Sequence, residues 1–156
     1  MFGFLKRKVR EIKSPVDGQI VALESVDDEV FSQKMAGDGV AVIPMSNVFT
    51  APIDGVITKI FATNHAYSIK SPKDLEVMVH IGLDTVSLDG KGFERLVNEG
   101  DEVKAGDEII RVDLEYIKEH AKDIVTPIII SDESDVKEIK KRLNIVKRQD
   151  IIMEVS

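Results

Sequence analysis

Short runs of apolar residues, many of them β-branched, recur along this chain and are separated by turn-forming residues. Alternation of apolar and polar positions favours half-buried strands, and continuous short runs favour strands covered on both faces. Strands are therefore predicted at 40–43, 108–112, 126–131 and 151–155. Residues 63–88 predict a β-hairpin. One arm carries His65, Tyr67 and Ile69, the turn holds Ser71, Pro72, Lys73 and Asp74, and the returning arm carries Val77, Val79 and Ile81. A hairpin loop of two or four residues makes antiparallel partners sum to 145, which sets His65 opposite His80 and Tyr67 opposite Met78. Alternation then assigns Val77, Val79 and Ile81 to the core face.

Helical spacing is sparse. A short helix is expected at 93–97. A clearer one spans 114–124, with Leu114, Ile117, Ala121 and Ile124 on one stripe and Asp113 as N-cap, and a third pattern runs through Val136, Ile139 and Leu143 after Ser134. SPVDGQIVAL at 14–23 returns as APIDGVITKI at 51–60, an internal repeat in which Asp17-Gly18 and Asp54-Gly55 signal tight turns. The expected fold is all-β, an antiparallel sandwich or barrel built from two similar repeats with a few short helices.

Composition narrows the functional classes. A chain of 156 residues with 43% hydrophobic and 31% charged residues fits one globular domain, expected at 14–156. Residues 1–13 form a basic segment in an otherwise acidic chain. They read either as a short interfacial helix that makes weak membrane contact with anionic lipid, or as a frayed or core-docked terminus. No apolar run is long enough to span a membrane, and no secretion signal is evident, so the cytoplasm is the expected location. The absence of cysteine excludes thiolate catalysis and disulfides. A net charge of −7 argues against nucleic acid as a ligand.

Two histidines facing each other on one sheet surface can reach a single small anion or metal ion, whereas a lone strand histidine is usually just hydrogen-bonded. Ile69, Tyr67 and Met78 would border them as an apolar rim, a pattern suited to docking. A zinc site would need a third or fourth ligand, for which only Asp84 or Glu76 is at hand, so no metal or other cofactor is expected. His120 lies off its helix stripe and reads as solvated. Gly37-Asp38-Gly39 reads as a turn rather than an anion nest. Neither Lys34 nor Lys104 sits in a convincing motif for a biotinyl or lipoyl arm.

With SPVDG, APIDG, VFSQKMAGDGVAVIP, FATNHAYSI, VHIGLDTVSLDGKGF, EGDEVKAGD, VDL and TPIIIS in this order, the chain resembles the glucose-family enzyme IIA component of the bacterial phosphoenolpyruvate:sugar phosphotransferase system. The resemblance implies that His80 carries a phosphoryl group, that His65 supports it, and that Thr63 orients His65. It implies phospho-HPr as donor and the cysteine of a IIB domain of a sugar permease as acceptor, with regulatory partners also compatible. The carbonyl of Gly82 is expected to hold the other nitrogen of His80. Asp84 is expected to meet a basic partner residue or to cap local backbone, and Phe31 and Phe61 join Tyr67 and Met78 in the expected docking rim.

Overall fold

A computed structural model describes residues 9–156. Its strands are β1 (Arg10–Lys13), β2 (Gly18–Ala22), β3 (Asp38–Pro44), β4 (Val48–Thr50), β5 (Gly55–Ile60), β6 (Ala66–Lys70), β7 (Glu76–His80), β8 (Phe93–Arg95), β9 (Glu102–Val103), β10 (Glu108–Val112), β11 (Thr126–Ile130), β12 (Ile139–Lys141), β13 (Ile145–Val146) and β14 (Ile151–Val155). Two short α-helices, α1 (Glu29–Ser32) and α2 (Leu114–His120), and two single-turn 3-10 helices, Leu23–Ser25 and Thr85–Leu88, interrupt them among the described residues. All strand pairings are antiparallel, in one eight-stranded sheet ordered β13-β2-β3-β11-β7-β6-β5-β9 and two three-stranded sheets, β1-β14-β12 and β4-β10-β8. The all-β antiparallel expectation holds. Among the described residues no helix is long and apolar enough to cross a membrane.

The central strands follow the period of two with unusual clarity. Val40, Val42, Ile128, Ile130, Val77 and Val79 join Ile12, Phe49, Ile110 and Met153 from the smaller sheets in one apolar cluster. The residues between them, Ala41, Ile129 and Met78, belong to a second cluster with Leu23, Phe31 and Leu83. Strands β3, β11 and β7 are thus covered on both faces, which is why their sequences read as continuous apolar runs. The second cluster brings α1 close to the end of β7.

The repeat is real and extends further than its two sequence copies. Asp17 accepts a hydrogen bond from the Arg148 amide at 2.8 Å, and Asp54 accepts one from the Ala105 amide at 2.7 Å. The turn at 147–150 is held by Asp150 as the turn at 104–107 is held by Asp107. Gly18 and Gly55 do not adopt the left-handed conformation that an Asp-Gly hairpin turn would need. Each instead admits a neighbouring strand: a Cβ on Gly18 would lie 2.3 Å from the Ile43 carbonyl oxygen, and one on Gly55 would lie 2.3 Å from that of Lys70. Gly55→Ala is therefore expected to destabilise the protein by about 2–3 kcal/mol, since backbone rather than a movable side chain must yield. An unchanged urea midpoint would contradict this.

Other local expectations are corrected. Residues 93–95 form strand β8, paired with β10, where a helix is expected. Residues 139–141 form strand β12, held by β14, in place of the helix read from Val136, Ile139 and Leu143. Helix α2 ends at His120, short of Ile124, although Asp113 caps it as anticipated. In these three stretches pairing with a neighbouring strand or loop overrides a weak local pattern. The segment 1–13 divides: residues 10–13 are a strand with Ile12 fully buried, and residues 1–8, on which the membrane-contact reading largely rests, lie outside the described residues.

Candidate functional site

The hairpin closes over three residues, Pro72, Lys73 and Asp74, with Asp74 at φ 56° and the Ser71 amide bonded to the Leu75 carbonyl at 2.8 Å. A three-residue loop with its last member left-handed is a favoured hairpin form, and its odd length shifts the register by one. Partners therefore sum to 146: His80 faces Ala66, Tyr67 faces Val79, and Ser68 faces Met78. The expected His65–His80 strand pair is not formed.

The two rings nevertheless meet. The five residues between β5 and β6, 61–65, carry Asn64 at φ 61°, and His65 sits in the bend just before β6. Strict alternation does not bind a residue in a bend, and the His65 ring swings to within 5.0 Å of the His80 ring, centroid to centroid, at an interplanar angle of 79°. The His65 carbonyl still continues the ladder, accepting from the Ile81 amide at 2.7 Å.

His80 ends β7 on the face opposite the main core, half-buried. Its Nδ1 lies 2.8 Å from the Gly82 carbonyl, which accepts the Nδ1 proton and leaves Nε2 unprotonated. Gly82 is held at φ +76°, and a Cβ there would meet Thr85 at 2.6 Å and the Asp123 carbonyl at 2.9 Å. The loop after β7 is fixed further by the Leu83 amide bonded to the Asp123 carbonyl and by Thr85 Oγ1 bonded to the Ile81 carbonyl. The carbonyl that orients His80 is thus held from several sides.

His65 is 3% exposed, and its Nδ1 lies 2.5 Å from Thr63 Oγ1. Burial, with a smaller contribution from His80, pushes the pKa of His65 down to about 4. Burial also lowers the pKa of His80, against the opposing pull of the Gly82 carbonyl and the Asp28 carboxylate. Both rings are held neutral by the fold. Because the folded-state pKa of His65 lies below its unfolded value, the unfolded chain binds the extra proton as pH falls. The stability gained by keeping the ring neutral is present above about pH 6.5 and is lost toward pH 4, amounting to on the order of 3 kcal/mol. Urea midpoints measured across this range should fall, and His65→Gln should flatten the decline; a midpoint indifferent to pH would contradict it.

The remaining expected residues divide into those near the rings and those away from them. The Phe31 ring packs 5.0 Å from His80, and the Phe61 ring 5.2 Å from His65. Phe31 is only 6% exposed, a wall of the site more than a docking surface, and Phe61 is half-buried with Lys59 Nζ 5.3 Å above its ring. Tyr67 is fully buried, with its hydroxyl donating to the Thr50 carbonyl at 2.7 Å, so it belongs to the core and not to the rim. Met78 is half-buried beneath the second cluster, and Ile69 is fully buried. The shifted register accounts for Tyr67 and Ile69, since it gives them the core face of Val79 and Val77. Asp84 is exposed at φ 57°, and its carboxylate caps nothing. His120 is exposed and stacked on Tyr116 at 4.2 Å.

Three features escape the sequence. Asp28, whose carboxylate accepts from the Val30 amide at 2.9 Å as the N-cap of α1, is close enough to favour positive charge on His80. Val30 and Val86, 45% and 59% exposed, are surface apolar residues on the elements that carry Phe31 and follow Asp84. The signal for α1 was present in Asp28 as a cap before Glu29, but four residues are too few for a period. Among the described residues no group of three or more His, Asp or Glu side chains is arranged to hold a metal ion.

Comparison with known proteins gives a consistent picture. A family model described as the phosphoenolpyruvate-dependent sugar phosphotransferase system, EIIA 1, matches residues 10–136. A glucose-specific EIIA component of Staphylococcus epidermidis is 44% identical over 160 aligned residues, covering 100% of this chain and 96% of that protein. An N-acetylglucosamine-specific EIICBA component of Klebsiella pneumoniae is 45% identical over 129 residues, which are 83% of this chain and 20% of the larger protein. The solved structure of glucose permease IIA from Mycoplasma capricolum superposes with a TM-score of 0.91 at 40% identity, covering 95% of this chain and 96% of that one.

Proposed function

From the premise that this chain belongs to the phosphoenolpyruvate-dependent sugar phosphotransferase system EIIA 1 family, we propose that it is a phosphohistidine relay protein, loaded at His80. The phosphoryl group comes from the phosphohistidine of HPr and goes to the cysteine of a IIB domain of a sugar permease. The observation that carries this reading is the pair of neutral rings, with Nδ1 of His80 bound to the Gly82 carbonyl so that the lone pair of Nε2 is available.

In the first transfer Nε2 of neutral His80 attacks phosphorus while the phosphorus–nitrogen bond to HPr breaks, and the HPr imidazole leaves with that electron pair. The His80 ring becomes cationic on gaining the phosphoryl group. Its proton stays on Nδ1, donated to the Gly82 carbonyl, and Asp28 favours the new charge. Transfer of this kind passes through a loose transition state, so the protein's work is positioning and stabilising charge on the phosphoryl oxygens. Thr63 donating to Nδ1 of His65 leaves the proton on Nε2, from which His65 donates to a phosphoryl oxygen. A ring neutral down to about pH 4 keeps that donor in one form throughout the physiological range.

Delivery reverses the bond changes, with the IIB thiolate as nucleophile and His80 leaving as neutral imidazole. The 20% coverage of the Klebsiella EIICBA component supports an acceptor domain that in other proteins shares a chain with this one. Val30 and Val86 supply the apolar docking contacts, and exposed Asp84 pairs with a basic partner residue. The work is done in the cytoplasm. Incubation with phosphoenolpyruvate, enzyme I and HPr should add one acid-labile phosphoryl group per chain, mapped to His80 and chased onto a IIB domain. Zinc-dependent hydrolysis of esters or amides without such a label would favour a metal-site reading instead.

A further inference from the structure

The turn that presents His65 is anchored from outside by one side chain with no part in the chemistry above. Arg95, on β8, sends Nε to Asn64 Oδ1 at 2.7 Å and Nη2 to the Phe61 carbonyl at 3.3 Å. Asn64 is the left-handed residue of that turn, and its own amide bonds to the same Phe61 carbonyl at 2.7 Å. Arg95 is half-buried, and among the described residues no carboxylate pairs with it. A half-buried charge satisfied only by neutral oxygens is costly, and packing alone would be served by an apolar residue. What the guanidinium adds is a planar fork that fixes two points of one loop together. Those points are the first residue of the turn and the one immediately before His65.

We propose that Arg95 is a positioning residue of the relay: its guanidinium locks the 61–65 turn so that the His65 ring meets that of His80. The consequence rests on the relay reading above. His65 lies outside the strand ladder's alternation, so its direction is set by the turn, and the turn is set by Asn64 and Phe61. Loss of the fork frees the turn without removing any group that touches the phosphoryl oxygens. A misplacement of about 1 Å in such a group is enough to slow a transfer step severely.

The test uses Arg95→Gln, with Arg95→Lys as a charge-retaining companion that reaches one of the two oxygens. Phosphoryl transfer from labelled His80 to a IIB domain should slow about tenfold in Arg95→Gln, with an unchanged KM for the acceptor, and by less in Arg95→Lys. The double variant His65→Gln/Arg95→Gln should be no slower than His65→Gln, because both changes disable one element. Independently of any transfer, nitrogen-15 NMR of the unphosphorylated protein should show the His65 titration moving from about pH 4 toward 6.5 in Arg95→Gln. Losses that multiply in the double variant, a raised acceptor KM, or an unmoved His65 titration would each overturn the assignment. If His80 takes no label, the relay reading fails; if His65→Gln transfers at the wild-type rate, His65 has no part in delivery and neither has Arg95. In both cases the His65 titration still decides whether Arg95 holds the turn.

Discussion

His80→Ala is expected to reduce the acid-labile phosphoryl label from one group per chain to none. The expectation is absolute because no second nitrogen is placed to substitute. His65 is 3% exposed, with its Nδ1 at 2.5 Å from Thr63. His120 stacks on Tyr116, its Nδ1 lies 2.9 Å from the Tyr116 carbonyl, and neither His65 nor His80 is among its ring contacts. His120→Ala should keep the full label and serves as the control. The fold should survive loss of His80, because the residue ends a strand and is half-buried rather than part of the main core. Removing the imidazole leaves the carbonyl of buried Gly82 without that partner, and water entering the vacated space can hydrate it, so a cost of about 1 kcal/mol is expected. Label that persists in a folded His80→Ala protein would contradict the assignment.

The second large effect separates loading from delivery. His65→Gln should still accept a phosphoryl group at His80, because the nucleophile and the carbonyl that orients it are untouched. Onward transfer to a IIB domain should fall by about 10²-fold or more, the usual consequence of losing one well-placed donor to a developing oxyanion. The glutamine amide reaches a similar place, but the contact between Thr63 and Nδ1 that orients the ring is lost, so nothing fixes which end of the amide, N–H or carbonyl, faces the phosphoryl group. The measurement is a rapid-quench chase of labelled protein with excess acceptor. Delivery at the wild-type rate would remove His65 from the mechanism while leaving His80 as carrier.

Much of the molecule is legible one residue at a time. The period of two in Val77, Met78 and Val79, repeated in Ile128–Ile130 and Val40–Val42, gives strands and faces directly, because each side chain's direction follows from the next. Asp113 as a helix cap is likewise a local fact, readable without the rest of the chain. The Asp-Gly segments are legible only as a repeat, because their aspartates bond to the distant Arg148 and Ala105 amides and their glycines admit a neighbouring strand instead of making the expected turn. The helices expected at 93–97 and 135–143 mislead because a few apolar residues at helical spacing carry little energy compared with a strand edge waiting to be paired.

Sequence by itself determined an antiparallel all-β chain, the two histidines and the face on which His80 lies, since these depend on residue type and on alternation within one strand. Tertiary structure alone decided the register between β6 and β7, the core position of Tyr67, and the meeting of His65 with His80. The physical reason is that register is fixed by a three-residue loop with Asp74 left-handed, and ring direction by a turn held through Asn64, Phe61 and a distant Arg95. Such contacts join residues far apart in the chain, so no local pattern records them.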